Sequence, residues 1–333
     1  MMTKVNILKN VVQCTAIALC MAIFASCEKE PNDDASNISM TVPPDEPGLF
    51  SIAGTGTVSI DWGDGTVETK TLQAFSYDRS LPYDDITYMF THSYSSSSSH
   101  TIRIDGNNIT HLTIGRKLVE STSSSKTYHS INLTNLDVSR ATALKALDCW
   151  GSKITELNLN SNKALVYLDC SQNFFLKKLD LRNNTALTYL DCVGSEISEL
   201  NLNANTALTY LQCSYNKLTN LDLSNNPALT DLICYNNQFT NLDLSANTAL
   251  TTLHCDNNQL MILDFSNNTM LLNLYCHSNN LSTSALNAMF VSLPNTTLRG
   301  LQGVIYAGSN SGSNDCDKSI AEVKGWIVYN DLF

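Results

Sequence analysis

The stretch Leu208-Thr-Tyr-Leu211-Gln-Cys213-Ser-Tyr-Asn216-Lys-Leu218-Thr-Asn-Leu221-Asp-Leu223-Ser-Asn-Asn226-Pro-Ala228 decides the fold. It holds two alternating apolar pieces, Leu211-x-Cys213 and Leu221-x-Leu223, each followed three residues later by an asparagine. The next 21 residues repeat the pattern as Leu229, Leu232, Cys234, Asn237, Phe239, Leu242, Leu244, Asn247 and Ala249. Working outward, the cysteine recurs at Cys149, Cys170, Cys192, Cys213, Cys234, Cys255 and Cys276, at intervals of 21, 22, 21, 21, 21 and 21 residues. Spacing this regular means one structural unit stacked repeatedly. The 22-residue interval falls where Phe174-Phe175-Leu176 carries an extra residue. A half copy, Leu136, Val138 and Ala141, lies 21 residues before Leu157, Leu159 and Asn162.

Period-two alternation predicts two short strands per unit, so the fold class is mainly β, a solenoid of short parallel strands. A single unit cannot bury its apolar side, but stacked neighbours bury it as one continuous core. The cysteine is then a small buried apolar residue in a column. The asparagines form two further columns at the bends, where they tolerate unusual backbone angles and bond the backbone of the next coil. The pattern over Leu133 to Leu281 resembles the bacterial leucine-rich repeats of the IRREKO type, in which half-units of 10 and 11 residues nest. That resemblance implies a solenoid and leaves the ligand open, because such scaffolds host many binding functions.

The cysteine column invites redox or metal chemistry, and its geometry argues against both. Neighbouring strands hold Cα atoms about 4.8 Å apart with parallel Cβ vectors, whereas a disulfide wants Cβ atoms about 3.8 Å apart. Ligands 21 residues apart on one ridge do not make a tetrahedron for zinc. Reduced, buried thiols with no metal and no cofactor are expected.

The chain opens with Lys4 and Lys9, an apolar run from Val11 to Phe24, and then Ala25-Ser26-Cys27. These are signal-peptide features, and the run is shorter than the roughly 20 residues of a membrane span. Cysteine directly after Ala-Ser resembles the lipobox of bacterial lipoproteins, which implies cleavage before Cys27 and a lipid on its thiol. The acidic stretch Glu28-Lys29-Glu30-Pro31-Asn32-Asp33-Asp34 reads as a tether. It is similar to export signals that display lipoproteins on the outer surface of Gram-negative bacteria; a periplasm-facing lipoprotein with a solvated spacer is the alternative. Removing residues 1–26 takes Lys4 and Lys9 from a net charge of −11 and leaves −13. That balance argues against nucleic acid and anionic membrane surfaces as partners.

Ile60-Asp61-Trp62-Gly63-Asp64-Gly65-Thr66, then His92-Ser93-Tyr94, then Thr101-Ile102-Arg103-Ile104, resembles the PKD family of immunoglobulin-like sandwiches. The usual glycine before the last strand is replaced by the serine run Ser95 to Ser99. The resemblance implies a small β-sandwich, read as a spacer that lifts the solenoid from the membrane. Asp61 and Asp64 either bond their own turn, the commoner use, or help to hold calcium. At the other end, Leu286, Met289, Phe290 and Leu293 at helical spacing predict a helix over Ser284 to Leu293, with Ser282 and Ser284 as N-caps and Pro294 as its stop. Ile320 and Val323 predict a second short helix ended by Gly325, and Trp326 to Tyr329 a last strand. This segment reads as the polar-faced cap that a solenoid requires.

The expected organisation is therefore a lipoprotein signal peptide at 1–26, an acidic tether at 27–37, a PKD-like sandwich at 38–108, an irregular first coil at 109–143, leucine-rich repeats at 144–283 and an α/β cap at 284–333. Within the irregular coil, Ser121 to Ser125 reads as a loose loop.

In Leu-x-x-Leu-x-Cys, the residues flanking cysteine point outward while cysteine points in. Seven strands give a face roughly 29 Å long, enough for a protein epitope or a glycan of several sugars. Tyr167, Tyr189 and Tyr210 form an aromatic rib there, with Trp150 and Tyr235 nearby. Such a rib either contributes contact hot spots or simply stabilises the sheet by cross-strand pairing. Asp148, Asp169 and Asp191 line up beside the rib; like charges in adjacent strands repel, which a basic partner would relieve and solvation would also moderate. His254, Asp256, Tyr275 and His277 form a further polar cluster that suits either ordinary surface polarity, a pH response or a metal. On the second piece the outward column is monotonous: Asn158, Asp180, Asn201, Asp222, Asp243 and Asp264. Uniformity there suggests bonding between coils, so the varied cysteine side is the expected reading face. No Ser-His-Asp set, phosphate loop or close carboxylate pair is apparent, and Cys255 cannot pair with His254 across the strand. The chain is read as a monomeric, non-enzymatic, lipid-anchored surface protein that binds a protein partner, with glycan capture or a purely architectural role as rivals.

Overall fold

The structure is a computed structural model and describes residues 37–74, 89–115, 117–122 and 125–330. The signal segment, Cys27 and nearly all of the acidic tether lie outside these residues.

One coil shows how the repeat folds. Leu208, Leu211, Cys213, Leu218, Leu221 and Leu223 are all buried, so both alternating pieces turn their odd positions into one core. The first piece of each coil is a three-residue strand. These are β11 (Ala146–Asp148), β12 (Tyr167–Asp169), β13 (Tyr189–Asp191), β14 (Tyr210–Gln212), β15 (Asp231–Ile233), β16 (Thr252–His254) and β17 (Asn273–Tyr275), each pairing parallel with the next. Register is strict: Leu147, Leu168, Leu190, Leu211, Leu232, Leu253 and Leu274 are successive partners. Two residues after each cysteine the backbone becomes left-handed, at Gly151, Gln172, Gly194, Tyr215, Asn236, Asn257 and Ser278. This sharp turn ends every strand at the same place.

The second piece departs from expectation. Leu179-x-Leu181, Leu200-x-Leu202, Leu221-x-Leu223 and Leu242-x-Leu244 are buried as predicted but are not strands. The reason is a competing hydrogen-bond partner. The Leu159 carbonyl accepts from the Asn162 N–H at 3.0 Å and from Asn184 Nδ2 of the next coil at 3.1 Å, and the Leu202 carbonyl is shared in the same way by Asn205 and Asn226. Side-chain amides occupy the acceptors that a backbone ladder would use.

Before the solenoid, two sheets face each other. The first contains β1 (Ile38–Val42), β3 (Gly56–Asp61), β4 (Val67–Leu72) and β6 (His100–Gly106). The second contains β2 (Gly48–Gly54), β5 (Met89–His92) and β7 (Ile109–Ile114). Ile38, Met40, Ile52, Ile60, Ile102 and Ile104 fill the space between. Both sheets run on into the repeats. β7 pairs antiparallel with β2 and parallel with β11, and β1 pairs with β10 (Asn135–Asp137), the half copy. The described residues form one compact unit. The sandwich is thus the N-terminal cap of the solenoid core. Between β7 and β10, β8 (Lys117–Thr122) and β9 (Ser125–His129) pair as an antiparallel hairpin. Ser121 and Ser125 belong to its strands, where the sequence suggested a loose loop; cross-strand pairing overrides their weak strand preference.

At the far end, α1 (Thr283–Ser292) starts at Ser282, whose hydroxyl accepts the Ala285 N–H at 3.2 Å. Leu286, Met289, Phe290 and Leu293 are buried beneath it, as their spacing required. After a single 3-10 turn, β18 (Gly303–Tyr306) continues the parallel sheet, with Ile305 beside Leu274 and Ala307 buried in the place of cysteine. The short α2 (Ser319–Glu322) and β19 (Trp326–Tyr329) complete the cap.

Candidate binding face

The cysteine side of the coil carries the varied columns, and strand alternation aims them away from the core. Tyr189 has Tyr167 and Tyr210 on its two sides, each at a centroid distance of 4.4 Å and with ring planes nearly parallel. The predicted rib is therefore a continuous stack. Its first member is not at the surface, however: Tyr167 is 2% exposed, and Asp148 and Asp169 are 2% and 3% exposed. The expectation that all three face solvent is corrected. The burial falls on the first two coils, beside the root of the β8–β9 hairpin, where a Cβ on Gly115 would touch the Ile131 backbone and one on Gly151 would touch Ser130. Trp150, Tyr189, Asp191, Tyr210 and Tyr235 remain half-buried.

The aspartate column also has an internal role. Asp148, Asp169 and Asp191 each accept the N–H two residues on, from Trp150, Ser171 and Val193, at 3.0–3.1 Å. Asp169 further accepts the Ser171 hydroxyl at 2.5 Å. Their repetition follows from the turn after each strand. The monotonous column on the other side does the same: Asn158, Asp180, Asn201, Asp222, Asp243 and Asp264 each accept the N–H two residues on. Those bonds lie within a coil, so the expectation of bonding between coils is corrected for this column. Bonding between coils belongs to the buried asparagines. Asn226 Nδ2 reaches back to the Leu202 and Asn205 carbonyls, and Asn237 Nδ2 to the Cys213 carbonyl, while Asn237 Oδ1 accepts the Leu218 N–H.

The polar cluster comes together in part. His277 Nε2 lies 3.4 Å from Asp256 Oδ2, both largely buried, and Asn257 Nδ2 donates to the same oxygen at 2.8 Å. His254 does not join them; its ring stacks on Tyr275 at 3.9 Å. Burial lowers the His254 pKa, with Asp256 acting in the opposite direction. Tyr275 continues the stack to Tyr306 at 4.7 Å, and Tyr306 to Tyr329 at 5.0 Å. This second rib, His254-Tyr275-Tyr306-Tyr329, stands one column over from the first and extends into the cap. Sequence reasoning missed Tyr306 and Tyr329. The signal was alternation in Gly303-Val-Ile-Tyr306 and Trp326-Ile-Val-Tyr329, masked because α1 replaces half a coil and breaks the 21-residue interval.

The seven ladder cysteines are free and fully buried. Burial pushes the Cys213 thiol up to about 12 and raises Cys170, Cys192, Cys234 and Cys255 further from the thiolate. A thiol so held stays protonated at neutral pH and is a poor nucleophile. In the sandwich, Asp61 Oδ1 accepts the Gly63 N–H and Asp64 Oδ1 accepts the Thr66 N–H and hydroxyl. Asp64 Oδ2 sits 2.7 Å from His92 Nε2, so both aspartates serve their own turn and Asp64 also holds a neighbouring strand.

No protein-family model matches this chain, and no curated protein matches it in sequence. Among solved structures, the functional domain of InlJ from Listeria monocytogenes, described as including a cysteine ladder, is 35% identical, with a TM-score of 0.52. The match covers 60% of this chain and 41% of that one. An internalin, InlF, from the same organism is 22% identical over 57% of this chain and 55% of its own, with a TM-score of 0.48. A leucine-rich-repeat protein of Leptospira interrogans is 21% identical over 58% and 56%, with a TM-score of 0.44. The chain spans less than two thirds of each of these structures. Its own fold is a leucine-rich-repeat solenoid with a buried cysteine ladder.

Proposed function

We propose that the cysteine-side face binds another protein without catalysing a reaction on it. One observation carries the preference for protein over glycan: Tyr189, Tyr275 and Tyr306 each have ring neighbours on both sides. Sugar stacking needs an open ring face, whereas these ribs present ring edges and hydroxyls. Rigid tyrosine edges on a flat sheet suit a protein epitope, where large contact area comes at low entropy cost. The solenoid resemblance adds general support, since such scaffolds commonly serve protein interaction.

Replacing Tyr189, Tyr210 and Tyr275 together with phenylalanine keeps the stacks and removes the hydroxyls. The expected outcome is a loss of about tenfold or more in retention of the mature chain on protein arrays, equivalent to about 1.4 kcal/mol, at an unchanged melting temperature. Retention on oligosaccharide arrays alone would transfer the face to the glycan reading.

The anchoring reading belongs to the same proposal: Cys27 carries lipid and the mature chain stands on the outer surface of the outer membrane. Its support is the Ala25-Ser26-Cys27 sequence and the acidic residues after it. Metabolic labelling with a fatty acid should mark the wild type and not Cys27→Ser. Antibody to the solenoid should label intact cells; labelling only after permeabilisation would place it facing the periplasm.

A further inference from the structure

The opposite side of the coil, formed by the second apolar piece, changes character halfway along the molecule. Its outward positions form two columns, one holding Glu156, Lys178, Glu199, Asn220, Asn241 and Ile262, the other the turn aspartates and asparagines. In the N-terminal coils charges of both signs mix: Arg182 pairs with Asp180 at 2.9 Å and Lys217 with Glu196 at 2.8 Å. From Leu218 to Leu298 the sequence contains no lysine or arginine. Within that span Asp222, Asp243 and Asp264 follow one another in successive coils, with carboxyls held below their ordinary pKa by turn hydrogen bonds to Ser224, Ser245 and Ser266. They are fixed anions on one ridge.

At the same place the surface becomes apolar. Where other coils carry Thr219-Asn220 and Thr240-Asn241, the sixth carries Met261-Ile262, 58% and 68% exposed. Leu263 and Phe265 point into the core, so Ile262 and Asp264 point out together. Ser292 Oγ accepts the Phe265 N–H at 2.9 Å, which brings the last turn of α1, with Val291 63% exposed, against this ridge. A shallow groove between the fifth and sixth coils is lined by Asn241, Asp243, Ile262, Asp264 and Asn267. Arg299 and Lys324, from outside that span, reach this side, but Arg299 bonds the Thr269 carbonyl and Lys324 the carbonyls of Phe290, Val291 and Leu293 rather than the aspartates. Exposed large apolar side chains beside a row of carboxylates mark an interaction surface.

We infer that this side of the C-terminal coils is a second docking surface, and that its partner is a cationic, amphipathic protein segment. Lysine or arginine of the partner meets the aspartate ridge, and its apolar side chains cover Met261, Ile262 and Val291. Charge selects this occupant. A second copy would set one aspartate ridge against another in a chain of net charge −11, and an anionic membrane would be repelled in the same way.

The test uses the mature chain and a synthetic peptide with lysine and leucine at amphipathic helical spacing, read by fluorescence anisotropy. Two counterparts serve as controls, one with glutamate for lysine and one with glutamine for leucine. Met261→Thr with Ile262→Asn restores the residues of the neighbouring coil. Asp222→Asn, Asp243→Asn and Asp264→Asn together remove the charge while keeping the turn bond, as Asn158 and Asn201 already do. The Lys/Leu peptide is expected to bind, to weaken tenfold or more in either variant at an unchanged melting temperature, and to weaken with salt. The tyrosine-to-phenylalanine variant should bind it normally, which separates this surface from the cysteine-side face. Equal binding by wild type and both variants overturns the proposal, and so does equal binding of the glutamine-for-leucine peptide. Dimerisation abolished by the Met261/Ile262 change, without peptide binding, assigns the patch to a second copy and also overturns it.

Discussion

At the residue scale, the buried asparagine does what a leucine in its place could not. Asn226 Nδ2 donates to the Leu202 carbonyl at 3.2 Å and the Asn205 carbonyl at 2.9 Å, and so ties two coils together. Asn226→Ala removes two buried hydrogen bonds whose acceptors each keep one backbone donor, from Asn205 and Leu208, at about 0.5–1.5 kcal/mol each. The expected loss is about 1–3 kcal/mol in a denaturant titration, with Asn247→Ala close to it because its bonds are the same length within 0.1 Å. The ladder cysteine is the contrasting case, an apolar filler with its thiol far from ionisation. The native chain should leave the seven ladder thiols unlabelled by a maleimide at pH 7.5 and release them all on unfolding, with half-buried Cys316 the first to react. Tyr215 holds φ at +53°, a conformation that costs most L residues about 1–2 kcal/mol. Tyr215→Asn should recover part of that and raise the melting temperature slightly; a fall would show that its edge contact with Tyr235 at 5.3 Å outweighs the strain.

At the element scale, β7 joins two architectures. It carries His111 beside Ala146 of β11 and Ala53 of β2. Burial, with Lys145 adding to it, pulls the His111 pKa down to about 4. The unfolded chain then binds this proton near pH 6.5 while the folded chain resists it. Stability should therefore decline as pH falls from about 6.5 towards 4. His111→Gln should flatten that part of the melting-temperature profile. A second decline follows at lower pH, as Asp64, Asp180, Asp222, Asp243 and Asp264, all depressed by hydrogen bonds, become protonated. The two declines differ in origin, and only the first should shrink in the histidine variant, with half-buried His254 keeping its own share of it.

At the scale of the whole molecule, both sheets of the sandwich continue into the solenoid, so its core and the first coils share strands. A freely hinged spacer would unfold separately. Here Leu112→Ala, at the junction, should lower stability by about 2–5 kcal/mol for Trp62 fluorescence in the sandwich and Trp150 fluorescence in the first coil alike. Separate transitions, with only one displaced, would mean that the junction does not couple them.

The sequence determined the solenoid because its unit is local: alternation within 21 residues and repetition across seven cysteines leave one way to bury the leucines. Helix α1, with its Ser282 cap, was legible for the same reason, since capping and spacing act within a few residues. Tertiary structure decided what depends on partners distant in the chain. The Leu-x-Leu pieces read as strands until asparagines of the next coil took their carbonyl acceptors. Tyr167, Asp148 and Asp169 read as surface by alternation, yet alternation gives only the direction a side chain points and not what lies over it. Tyr306 and Tyr329 fell into register with Tyr275 only once α1 had replaced half a coil. Direction is set by backbone geometry, which is local; exposure and alignment are set by packing, which is not.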